Sequence, residues 1–116
     1  MTEYQRLRPS FVLLHITLGL MLGIGGATTA WMASGPHAAH LTLLGTGEAV
    51  AAVLFLLPRT LRLGAIGLLL SCAVAFMVHA AMGQWRGDLL VYMAAVLFVG
   101  AHGAAYRGAP SRAPAT

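Results

Sequence analysis

Four apolar runs, each about 18–22 residues long and divided by short breaks, constrain this chain more than any other feature. They are Phe11 to about Met32, Ala38–Leu57, Leu63–Met82 and Leu89–Tyr106. At about 1.5 Å per residue, a helix of such length crosses a hydrocarbon core roughly 30 Å thick. Lipid offers the backbone no hydrogen-bond partner, so a crossing segment must satisfy its own N–H and C=O groups as a helix. The breaks carry turn chemistry: Ser34-Gly35-Pro36, Pro58-Arg59-Thr60 and Gly83-Gln84-Trp85-Arg86-Gly87. Links this short place successive helices antiparallel and side by side. The expected fold is all-α: an integral membrane four-helix bundle with up-down topology. It forms a single transmembrane domain over 1–116, with a flexible tail at 107–116.

Composition supports this reading and excludes others. Of the 116 residues, 59% are hydrophobic and 9% charged, with mean hydropathy +0.80. An average soluble domain is roughly 25% charged, and a small one has too little interior to hide so much apolar surface. The first run has a basic start and small residues at Ala33-Ser34-Gly35, like a cleavable leader, but it is longer than the usual h-region and reads as a retained helix. The formal charge of +4 does not point to nucleic acid, because all seven basic residues are Arg and most sit at the ends of apolar runs. Arg6, Arg8, Arg59, Arg62, Arg107 and Arg112 fall on one side; only Arg86, with Asp88 nearby, falls on the other. The positive-inside rule makes the first side, and both termini, cytoplasmic. Trp31 and Trp85 mark the outer interface, Tyr4 and Tyr106 the inner one. A multi-pass protein of a bacterial inner (plasma) membrane is expected. Cys72 is the single cysteine, so no thiolate metal cluster or disulfide framework forms within one chain, and no metal site is expected.

Helical rise converts position into depth. Glu48 lies about 15 Å from the inner edge, near the midplane, and Cys72 at similar depth. His15 and His102 are each roughly 8–10 Å from the inner boundary, while His79, His40 and the loop residue His37 belong to an outer layer. Each helix carries one small or polar stripe: His15, Gly19, Leu22, Gly26 and Thr29; Gly45, Glu48 and Ala52; Cys72, His79 and Arg86; Asp88, Tyr92, Ala95, Val99, His102 and Tyr106. The four stripes are expected to face one another.

Most of these residues also have an ordinary structural reading. The Gly19–Gly23 GxxxG pattern serves close helix packing by default. Cys72 fits a small core residue. His15 and His102 fit hydrogen-bonded packing residues, and Arg86 with Asp88 an interfacial pair, Asp88 also suiting the first turn of helix 4. Glu48 stands apart. A carboxylate at a helix centre costs on the order of 2.5–3.5 kcal/mol on insertion scales, and must be neutralised, paired or hydrated. No Arg lies at its depth, and Gly45 and Ala52 are expected to leave room beside it for water or a ligand. Its structural alternative is a hydrogen bond that holds the helices together.

The stretches GTGEAVAAVLFLLPRTLRLGAIGLLL (45–70) and HAAMGQWRGDLLVYMAAVLFVGAHG (79–103) resemble the DoxX-like family of small four-helix membrane proteins. The resemblance covers helices 2–4; helix 1 is similar only in character. It implies an inner-membrane protein, in some members linked to quinone-dependent sulfur oxidation or other redox systems. Glu48 and His79 match the family-like polar positions.

The leading expectation is a redox-associated subunit that binds a quinone or similar apolar ligand within the bundle. Glu48, His79, Arg86 and Asp88 would supply ligand contacts or a proton relay. On an ideal helix Glu48 and His79 differ by about 10 Å in depth, so they fit stations on a path better than direct partners. The sequence has no flavin, nucleotide or iron–sulfur motif and no independent catalytic motif, so oxidation needs a redox partner protein. The alternatives are a structural or assembly subunit, including a homo-oligomer; a haem b bundle with ligands among His15, His102, His40 and His79; and a small proton-coupled transporter built on Glu48.

Overall fold

The computed structural model describes residues 3–105; Tyr106, Arg107, Arg112 and the expected tail at 107–116 lie outside the described residues. Four helices follow in order: α1 (Glu3–Met32), α2 (Ala38–Leu56), α3 (Leu61–Ala81) and α4 (Gly87–His102). α1, α2 and α3 are long and apolar enough to cross a membrane, while α4 has 16 residues and is shorter. α1 packs on α2, α2 on α3 and α3 on α4, with the sparsest packing between α1 and α4.

Two boundaries differ from the sequence expectation by more than two residues, each for a local reason. α1 begins at Glu3, eight residues before the apolar run (11 − 3). Glu, Gln, Arg and Leu are good helix formers, and Pro9 removes a single N–H from the ladder without stopping the helix. Glu3 also sits in the first turn, where an acid complements the helix dipole. α4 ends at His102, short of the expected Tyr106, because Gly103 takes φ +86°, a conformation that side chains disfavour.

The end of α2 shows how its backbone groups are satisfied. Pro58 has no N–H to offer the Leu54 carbonyl, and the Thr60 hydroxyl donates to that oxygen instead, at 2.8 Å. The Phe55 carbonyl accepts from the His15 ring of α1, at 2.9 Å. Helix ends expose unpaired carbonyls, and here side chains from two elements cap two of them.

The core gathers towards this end of the bundle. Phe55, Leu68, Val96 and Val99 are fully buried, with Leu18, Ala52, Ala65 and Cys72 around them. Small residues let the backbones meet. A Cβ on Gly45 would stand 2.5 Å from the Gly26 carbonyl oxygen, and one on Gly26 would stand 2.7 Å from the Gly45 carbonyl oxygen. The α1–α2 crossing is therefore closest at Gly26 and Gly45. Gly23, of the GxxxG pattern, meets only the Ala52 methyl, at 3.3 Å from an added Cβ. Large apolar side chains cover the outside: Leu43 is 76% exposed and Met77 70%.

Candidate functional site

The site starts at the end of α3. Gly83 takes φ +76° and stops the helix, and the loop folds back so that the Gln84 N–H donates to the His79 carbonyl at 2.8 Å. The same turn brings the Gln84 side chain to the His79 ring, whose Nδ1–H donates to Oε1 at 2.8 Å. Arg86 Nη1 approaches the other ring nitrogen, Nε2, at 3.4 Å. These partners assign the Nδ1–H tautomer, since a guanidinium only donates.

Arg86 also grips Asp88 with two parallel bonds, Nε to Oδ1 at 2.9 Å and Nη2 to Oδ2 at 2.8 Å. This fork geometry is the strong form of the Arg–carboxylate contact. The hydrogen bond from Arg86 holds the Asp88 carboxyl below its ordinary value of 3.8, and the same bond raises the guanidinium above its own. Gln84, His79, Arg86 and Asp88 thus form one connected polar chain across the mouth of the bundle.

Behind that chain lies a cleft of about 350 Å³ to which all four helices contribute. Its polar lining is Thr29, Glu48, His79, Arg86, Asp88 and Tyr92, and the rest is apolar, as with Leu22, Leu44 and Ala75. All four residues expected to contact a ligand or relay protons therefore border one space. Glu48 enters it half-buried from α2. Among the described residues, no hydrogen bond or ion pair ties its carboxyl to another side chain.

Two expectations are corrected here. Gly45 and Ala52 do not leave room beside Glu48, because the α1 backbone fills the face at Gly45 and Ala52 is 1% exposed in the core. The open space lies on the face towards Leu44, α3 and α4. The histidines expected to face each other as haem ligands are not presented that way. His15 is fully buried; its Nε2–H donates to the Phe55 carbonyl at 2.9 Å, and its Nδ1 accepts from the Ala105 N–H at 3.3 Å. Both ring nitrogens are engaged with backbone, and a metal ligand needs one of them. His102 is exposed, donates Nδ1–H to the Phe98 carbonyl at 2.7 Å, and stacks on Phe98 with centroids 4.2 Å apart. In the outer layer, His40 is exposed on the first turn of α2 and does not line the cleft, while the His79 nitrogens face Gln84 and Arg86.

Two polar lining residues were not among the expected site residues, Thr29 and Tyr92. Both have a signal in the sequence: Tyr92 lies four residues after Asp88 on the same stripe, and Thr29 ends the small-residue stripe of α1.

The fold and cleft define a class: an all-α four-helix chain, three of its helices long and apolar enough to cross a membrane, with a packed core towards one end and a polar-lined cleft towards the other. Comparison with protein-family models, with curated proteins and with solved structures gives no match for this chain.

Proposed function

We propose that this chain is a multi-pass protein of a bacterial inner membrane, with both termini cytoplasmic, and that it is a DoxX-like, redox-associated subunit holding a quinone head group in the cleft. The observation that carries the reading is the convergence of Glu48, His79, Arg86, Asp88 and Tyr92 on one space of about 350 Å³ among otherwise apolar walls. Ligand pockets of this kind are mainly apolar with a few placed polar groups, and begin at about 300 Å³.

Membrane insertion is supported by three long apolar helices and by the outward-facing large side chains. At about 24 Å, α4 is shorter than a core of roughly 30 Å and sits in it by local thinning of the bilayer. The arginine bias supports the orientation. The cleft mouth, with Arg86 and Asp88, then opens at the outer surface.

A quinone carbonyl needs hydrogen-bond donors. Arg86 and the Tyr92 hydroxyl offer them near the mouth, and Glu48 can donate a proton at the deeper end. Reduction of the head group to the quinol takes two electrons and two protons. The electrons come from a partner oxidoreductase; the chain's own part is to hold the ring, exclude bulk lipid and pass protons by way of His79 and Glu48.

The test is titration of the purified protein in lipid nanodiscs with a short-chain quinone. Saturable binding is expected, weakened roughly tenfold in Arg86→Gln by loss of charge-assisted hydrogen bonds. Glu48→Gln keeps the shape of the side chain and should fold and bind, yet slow proton-coupled reduction by about a hundredfold. Absence of saturable binding overturns the reading. If Glu48→Gln is fully active and Glu48→Leu fails to assemble, the carboxyl is a structural hydrogen-bonding group.

A further inference from the structure

A second cleft, of about 440 Å³, opens at the opposite end of the bundle between the α2–α3 turn and the end of α4. Arg59 and Arg62 line it from one side and His102 from the other. Both arginines are exposed, and among the described residues neither has a carboxylate partner. Of the chain's three acidic residues, Glu48 and Asp88 belong to the other cleft, and Glu3 sits about 18 Å beyond His15 along α1.

The local backbone adds to the positive character. The Thr60 hydroxyl, which would ordinarily cap α3, is spent on the Leu54 carbonyl left unpaired by Pro58. The first N–H groups of α3 are thus left without a side-chain cap, between Arg59 and Arg62. Across the cleft, the His102 ring turns back onto its own helix, Nδ1–H donating to the Phe98 carbonyl at 2.7 Å, and the Gly103 N–H donates to the Val99 carbonyl at 2.9 Å.

We propose that this cleft binds the phosphodiester head group of an anionic phospholipid from the inner leaflet. The inference rests on the membrane orientation proposed above and is independent of the quinone reading. Two arginines with no carboxylate partner among the described residues, a space of head-group size and a location at the proposed cytoplasmic boundary are what such a lipid requires.

The test uses purified protein in neutral detergent, titrated with short-chain phosphatidylglycerol, phosphatidylcholine or glycerol 3-phosphate, with bound ligand counted by native mass spectrometry. Phosphatidylglycerol should be retained and phosphatidylcholine should not. The double variant Arg59→Gln/Arg62→Gln should lower phosphatidylglycerol retention roughly tenfold or more. Arg6→Gln/Arg8→Gln removes the same charge from the same end but outside the cleft, and should lower it by less than about twofold. Equal losses in the two double variants overturn the site. Glycerol 3-phosphate held as tightly as phosphatidylglycerol would make the ligand a free phosphate and overturn the lipid assignment. Extraction of the chain from native membranes by alkaline carbonate would sink the membrane reading together with this proposal; an embedded chain without lipid preference sinks this proposal alone.

Discussion

His15 links three parts of the chain with one ring: α1 carries it, α2 receives its proton at Phe55, and the segment after α4 donates to it through Ala105. It also packs edge-on against Phe55, with centroids 4.7 Å apart. His15→Ala opens a cavity and leaves two buried backbone groups without this partner, a loss of roughly 2–5 kcal/mol. His102→Ala, on an exposed ring, should cost less than about 1 kcal/mol. Unfolding in mild detergent measures both, and equal losses would refute the three-way link. Asp88 makes a different prediction. Its carboxyl titrates below its ordinary 3.8 because Arg86 donates to it, so the pair contributes stability above that pH and loses it as pH falls through the lowered value. In Arg86→Gln the Asp88 titration midpoint, followed by carbon NMR, should move up to the ordinary carboxylate range. A midpoint that stays put would mean that Arg86 is not its cause.

The α1–α2 crossing shows that glycines on one helix are not equivalent. Gly45 lies against the Gly26 carbonyl and the Ala30 N–H, with only 2.5 and 2.7 Å available to a Cβ. Gly47, two residues on, has nothing within 4 Å. Gly45→Ala forces the helices apart, at about 1–3 kcal/mol for overpacking. Gly47→Ala meets open space and should be neutral or stabilising by up to about 1 kcal/mol, since Ala is the better helix former. Melting temperatures in detergent separate the two; a Gly45→Ala protein as stable as the original would place the crossing elsewhere. The end of α2 follows the same logic, with Pro58 creating a vacancy at the Leu54 carbonyl that the Thr60 hydroxyl fills.

For the whole molecule, the packing order α1–α2–α3–α4 sets its two ends apart. Trp31 and Trp85, 90% and 77% exposed, lie at the end with the polar cleft, and Arg59 and Arg62 at the other. Interfacial tryptophans and inner arginines are the expected marks of a fixed orientation. With Cys72 replaced by Ala, Ser34→Cys should react with an impermeant thiol reagent in intact cells, and Ser10→Cys should react only after the membrane is opened. Both native serines are exposed, so accessibility and not burial decides the result. Labelling at residue 10 alone would invert the orientation.

The sequence by itself determined the number of helices, their order and most of their ends, because a long apolar run, a proline or a turn glycine acts locally on the backbone. It also put Glu48, His79, Arg86 and Asp88 forward, since polar groups in apolar runs are conspicuous whatever the packing. Tertiary structure decided which faces meet. Gly45 and Ala52 read as free space beside Glu48, yet one is filled by α1 and the other by the core. His15 reads as a packing residue with a haem ligand as the alternative; the Phe55 carbonyl and the Ala105 N–H, 40 and 90 residues away, make it a structural link. α4 stops early because of the positive φ of Gly103, and the chain then turns in to meet His15. These outcomes depend on which surfaces come within a few ångströms of one another, and helical periodicity places a residue on a face without naming the neighbour across from it.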